Sequence, residues 1–152
     1  MEALAERAQA ALTDFVAFAG GGLTREQVRV EVVPKPHRPS SLPKGKMAVY
    51  CFVLGDQVLK VGLAGPNSDA RYRSQHYNTN SAGSNLAKSL VTYPEKIGAK
   101  SIDPDRVGEW IKQNTTRINF LLPASIGKPT LAMLETFLHA RWSPVYEGRM
   151  WS

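Results

Sequence analysis

Side chains suited to chemistry fall into three stretches of this chain. The first holds Tyr50 and Lys60 on what reads as a β-hairpin, with Gly62 following where a chain needs room for close approach. A phenol and an amine on neighbouring strands can serve the same water or proton if they face the same way. Their numbers share parity, so they share a face only if the connection holds an odd number of residues; a strict two-residue turn would set them on opposite faces. Taken singly, each reads equally as an ordinary strand residue, a half-buried tyrosine and a solvated lysine.

The second stretch is PTLAMLETFLHARW, in which Leu131, Glu135, Leu138 and Trp142 recur at steps of four, three and four and so form one helical stripe. A carboxylate on an apolar stripe is expensive to desolvate without a cation or donors. Glu135 therefore calls for a metal ion or an arginine, unless it sits at the stripe's edge and reaches water. His139, one turn later, gives a Glu-x-x-x-His spacing that is a weak metal signature and reads better as a surface pair. The third stretch, SDARYRSQHYNTNSAGSNLAKSL, carries Arg71, Arg73, His76, Asn78, Asn80, Asn85 and Lys88. Guanidinium forks suit phosphate oxygens, although a solvated helix face produces similar clusters.

The elements that must position these groups follow from periodicity. Leu4, Ala8, Ala11, Leu12, Phe15 and Phe18 predict an amphipathic helix over 2–19, ended by Gly20-Gly21-Gly22. Val28, Val30 and Val32 alternate with charges as a strand, and a proline-rich loop spans 33–45. MAVYCFVL and QVLKVGL, between Met47 and Leu63, flank Gly55-Asp56 as a hairpin. Helices are predicted over Asp69–His76, Ser84–Leu90, Asp103–Gln113 and Pro129–Trp142, and a strand over Ile118–Leu122. The expected fold is α+β, a small antiparallel sheet built on a β-hairpin and flanked by helices. The 152 residues form one domain, with an N-terminal helix, strand and Pro-rich loop (1–45) before a core at 46–148.

With 43% hydrophobic and 21% charged residues the composition is globular and offers no membrane span. Nineteen basic against thirteen acidic side chains give a formal charge of +6, which favours a polyanionic partner, nucleic acid first, though many proteins carry such charge without one. Cys51 is the single cysteine, expected as a buried strand residue, and no zinc-ligand spacing occurs. Glu2, Glu6, Arg7 and Asp14 interrupt any secretory h-region, so a cytoplasmic location is expected.

Ala48-Val49-Tyr50, then Lys60-Val61-Gly62, then Arg71 and His76, then a helix bearing Glu135 resembles, in order and spacing, the GIY-YIG nuclease pattern over residues 47–148. It is most similar to the GIY-YIG restriction endonucleases in which lysine replaces the YIG tyrosine. Ala48 stands at the GIY glycine, and no asparagine follows Glu135 where the family often has one. The resemblance implies a metal-dependent endonuclease that hydrolyses DNA phosphodiester bonds, restriction-type, leaving 5′-phosphate and 3′-hydroxyl ends. It implies that Tyr50 deprotonates or positions the attacking water, assisted by Lys60 as base or by its charge. Glu135 would be the single carboxylate holding Mg²⁺ or Mn²⁺. Arg71 would steady the charge on the pentavalent phosphorus, and His76 would contact the nucleophile or the phosphate. A step of five does not stack Arg71 with His76 on a helix, so Arg73 and Tyr77, four apart, are the alternative pair.

Double-stranded DNA is the expected partner, contacted by Lys44, Lys46, Arg73, Asn78, Asn80, Asn85 and Lys88, with Lys112, Asn114 and Arg117 as a further polar cluster. Cutting both strands would most simply use a homodimer. Two other readings stay open: a catalytically inactive DNA-binding module of the same fold, and a nuclease acting on structured DNA or RNA.

Overall fold

Two runs of β-branched and aromatic residues, Lys46–Leu54 (β2) and Gln57–Ala64 (β3), pair antiparallel across a two-residue turn in which Gly55 takes φ +64°. In the computed structural model, which describes residues 1–81 and 85–146, they belong to a four-stranded sheet of order β1-β4-β2-β3. Strands β1 (Arg29–Val33) and β4 (Thr116–Pro123) complete it, and every pairing is antiparallel. The fold is therefore α+β, a small antiparallel sheet flanked by helices.

Both faces of the hairpin are covered, so Met47 to Val53 is buried throughout and polar alternation is absent. On one face Met47, Val49, Cys51 and Val53 meet Ala8, Ala11, Leu12 and Phe15 of α1 (Glu2–Ala19) and Leu131, Leu134 and Leu138 of α5 (Lys128–Trp142). On the other, Ala48, Tyr50 and Phe52 meet Tyr72 of α2 (Asp69–Arg73), Leu86 and Leu90 of α3 (Leu86–Thr92), and Val107 and Ile111 of α4 (Val107–Asn114). Cys51 is buried on its strand as expected.

The parity problem is resolved by a β-bulge. Near the turn Leu54 faces Gln57 and Val53 faces Val58; beyond them the register steps by one, so that Phe52 faces Lys60 and Tyr50 faces Gly62. Leu59 is the extra residue, and it rotates Lys60 onto the face of Tyr50 that the turn alone would have denied it.

Local chemistry shortens two predicted helices. Asp69–His76 is two pieces, because α2 ends at Arg73, Ser74 leaves helical geometry (φ −130°), and Gln75–Tyr77 forms a 3-10 turn. Asp103 does not open a helix: its carboxylate accepts the Asp105 N–H at 2.9 Å in a turn, and α4 begins at Val107. The third predicted helix begins at Leu86 with Asn85 as its cap; Ser84, like residues 147 and 148 of the expected core, lies outside the described residues. After α5 the chain returns along the β3 edge, where Val145 and Tyr146 donate N–H groups to the Val58 and Leu59 carbonyls at 3.0 and 2.8 Å. Among the described residues no helix is long and apolar enough to cross a membrane.

Candidate active site

Tyr50 stands in mid-strand with 0% of its surface exposed. Its hydroxyl is nonetheless in polar surroundings, 2.8 Å from His76 Nε2 and 3.4 Å from the Arg71 carbonyl oxygen. Gly62 lies against the ring: a Cβ there would come within 2.9 Å of Cε2, Cζ and the hydroxyl oxygen, so the glycine makes room for the phenol. His76 accepts the Leu86 N–H at Nδ1, 3.1 Å away. A neutral ring with Nδ1 accepting carries its proton on Nε2, so His76 donates to the phenol oxygen. Burial first, then Arg71, Lys60 and Arg117, holds its basicity well below the ordinary histidine range. At 1% exposure it has both ring nitrogens engaged, by the Leu86 N–H and the Tyr50 hydroxyl, and so orients the phenol.

Three charged side chains from three elements share this region. Arg71, on α2, donates from Nε to the Leu63 carbonyl at 2.9 Å and from Nη1 to Gln75 at 3.3 Å, which ties it to the end of β3. Lys60, 3% exposed, is brought down to a pKa of about 8 by burial and by Arg71, against the pull of Glu135. Glu135, half-buried on α5, is raised by burial, against the pull of Arg71 and Lys60. Tyr50 is raised by burial, while Arg71 and Arg117 draw it down and Glu135 opposes them. Arg71 and Glu135 thus act on the phenol and on the Lys60 amine alike, and Arg117 joins them at the phenol.

The remaining expected contacts divide. Lys44 is exposed and Lys46 half-buried at the start of β2. Exposed Arg73 pairs with Asp69 at 3.4 Å on its own helix. Asn78 and Asn80 are exposed, the Asn78 side chain accepting the Asn80 N–H at 2.9 Å, and Lys88 is half-buried. Asn85 is a correction: it is buried, accepts the Lys88 N–H at 2.8 Å and donates to the Ser81 carbonyl at 3.3 Å, so the side chain caps α3 rather than facing solvent. His139 is buried, not part of a surface pair. Tyr77 does not substitute for His76, because its hydroxyl is bound to His37 at 2.7 Å and Arg117 at 3.2 Å.

Nor does Arg117 join Lys112 and Asn114 in a surface cluster. Lys112 pairs with Glu109 at 3.2 Å and Asn114 donates to the Trp110 carbonyl at 2.8 Å, whereas Arg117 is 2% exposed on Tyr50's face of the sheet. Periodicity alone missed it, yet Arg117 and Asn119 alternate with Ile118 and Phe120, the signal of a strand with a polar row. The β4 register puts Arg117 opposite Phe52 and Asn119 opposite Tyr50. No family model, curated protein or solved structure matches the chain.

Proposed function

We propose that the chain is a metal-dependent endonuclease of the GIY-YIG type that hydrolyses DNA phosphodiester bonds. Its reacting groups are Tyr50, Lys60, Arg71 and Glu135, with His76 holding the phenol. The observation that carries this reading is that Lys60, turned by the bulge onto Tyr50's face of the sheet, lies in the fields of both Arg71 and Glu135.

The donor set fits a hard divalent cation. Burial of Glu135 outweighs the two neighbouring cations, so its carboxylate remains under-compensated and further positive charge would relieve it. A single carboxylate suits an ion that keeps its waters and takes other ligands from the substrate. Mg²⁺ or Mn²⁺ bound through Glu135 would neutralise charge at the leaving oxygen.

Magnitudes choose the base. Burial pushes the Tyr50 phenol up from its ordinary value while Lys60 is drawn down to about 8, so the amine reaches its proton-accepting form at a lower pH than the phenol does. Lys60 Nζ takes the proton of the attacking water. The new P–O bond forms in line as the bond to the 3′-oxygen breaks, leaving a 5′-phosphate and a 3′-hydroxyl. Arg71 stabilises the equatorial phosphate oxygens. The +6 charge favours double-stranded DNA as the polyanion, in a cytoplasmic setting, with a homodimer cutting both strands.

Complete burial of the Tyr50 hydroxyl favours a second reading, a DNA-binding module of this fold without the chemistry. Incubation with supercoiled plasmid and Mg²⁺ separates them. Nicking by wild type that disappears in Glu135→Ala supports the enzyme, and retention of plasmid without scission supports the module. Branched DNA and RNA substrates run alongside identify a structure-directed or RNA nuclease.

A further inference from the structure

Arg117 carries a full charge in the interior, and none of the hydrogen bonds described for it is to a carboxylate. Its Nη2 donates to the Tyr72 carbonyl at 2.6 Å, its Nη1 to the Tyr77 hydroxyl at 3.2 Å and its Nε to Asn119 at 2.8 Å. The guanidinium centre stacks 4.6 Å from the Tyr50 ring centroid and 4.5 Å from that of Tyr72. Tyr77 is anchored in turn: His37 Nδ1 donates to the Thr115 carbonyl at 2.8 Å, so its Nε2 must accept the Tyr77 hydroxyl proton, and the freed lone pair of Tyr77 accepts from Arg117.

The residues held are those next to the site. Tyr72 follows Arg71 in the chain, Tyr77 follows His76, and the stacked ring is Tyr50 itself. A buried ion can often be replaced by apolar side chains without loss of stability, so a simple staple between α2 and β4 does not require a charge. What a guanidinium provides is five N–H donors on three nitrogens, in fixed directions in one plane, with two faces left for rings.

We propose that Arg117 is a positioning residue that sets Arg71, His76 and Tyr50 relative to one another for the reaction; this rests on the nuclease reading above. It touches neither substrate nor metal and acts through the three side chains it locates. Lysine at this position keeps the charge but offers no fork, and Tyr77→Phe removes one anchor while leaving the guanidinium in place.

The test compares wild type with Arg117→Lys and Tyr77→Phe. The first readout needs no DNA: the ¹⁵N ring resonances of the three histidines, with His76 identified by its loss in His76→Gln. Wild type is expected to show His76 as the neutral Nε2–H tautomer with a slowly exchanging ring proton, and both variants should lose that slow exchange. The second readout is plasmid nicking, where kcat should fall about 10- to 100-fold with KM within about twofold, the range for outer residues that orient reacting groups. If Arg117→Lys does not fold, Tyr77→Phe alone decides. A folded variant that keeps the wild-type His76 signal, or loses it and still cleaves at the wild-type rate, overturns the proposal. Absence of cleavage by wild type sinks the nuclease reading instead, and the histidine signal still reports whether Arg117 locates His76.

Discussion

Replacing Lys60 with methionine should make the protein more stable while abolishing its activity, and the size of the gain is set by the amine's environment. A free lysine titrates near 10.5 and Lys60 near 8, with burial the largest cause and Arg71 the second. That drop means that keeping Lys60 charged in the folded state costs about 3 kcal/mol, the attraction of Glu135 already included. Methionine matches the stem in length and carries no charge, so Lys60→Met should gain up to about that amount at pH 7. The sign with pH is fixed by the depressed value. Between about 8 and 10.5 the unfolded chain binds the proton and the folded one does not, so wild type gains stability as pH rises across this window. The gap between the two proteins should therefore be widest below pH 8 and close by about pH 10.5. Urea unfolding at pH 7, 8.5 and 10, in EDTA so that no metal contributes, measures it. A gap that stays constant with pH, or a wild type that is the more stable protein at pH 7, would refute the account of Lys60 as a buried, partly discharged amine.

Gly62→Ala drives a methyl against Tyr50 at 2.9 Å and should cost about 1–3 kcal/mol by overpacking, with cleavage reduced because the phenol is displaced from His76; thermal unfolding and nicking assays read the two effects. Tyr50→Phe removes the acceptor of the buried His76 N–H and should destabilise by about 1–3 kcal/mol, seen as a lower urea midpoint; an unchanged midpoint would mean that the bond is not made. His37 and His76 are both held below 6.5 by burial, so their contribution to stability is complete above about pH 6.5 and declines below it as the unfolded chain takes up protons. The thermal midpoint should accordingly drop between pH 6.5 and 5, by less in His37→Gln than in wild type. Gly108→Ala places a Cβ 2.6 Å from the Tyr77 carbonyl and should perturb the segment bearing His76, reported by the same ring resonance and by kcat.

Much of this architecture was legible from one-dimensional patterns because those patterns are local. The hairpin, α1 and α5 follow from alternation and three-to-four spacing, and their observed bounds lie within one or two residues of expectation. What failed turned on geometry that side-chain periodicity does not encode, some of it local and some of it between distant segments. No spacing rule shows that Leu59 bulges, yet that single residue decides where Lys60 points. The five-residue step from Arg71 to His76 argues against a shared face only if the helix continues, and it stops at Arg73. Asn85 reads as a free phosphate donor until a helix start demands a cap, and Arg117 reads as solvated because a buried arginine is rare without a tertiary frame that satisfies it. The shared field of Glu135 with Lys60 and Arg71 likewise needs α5 laid beside β3.

Because parity is corrected at Leu59 rather than at Gly55-Asp56, the hairpin tip is uncoupled from the chemistry. Residues can be added to or exchanged in the tip, and the strands beyond position 59 keep their pairing, since β2 is also clamped by β4 along its other side. Loop grafting at the tip, for instance to append a tag or a targeting peptide, should leave the amine where it is. Excision of Leu59 would leave Lys60 opposite Phe52 in a regular ladder, whereas pairing of Leu59 with Phe52 would set the amine opposite Cys51, toward the aliphatic side chains of α1 and α5.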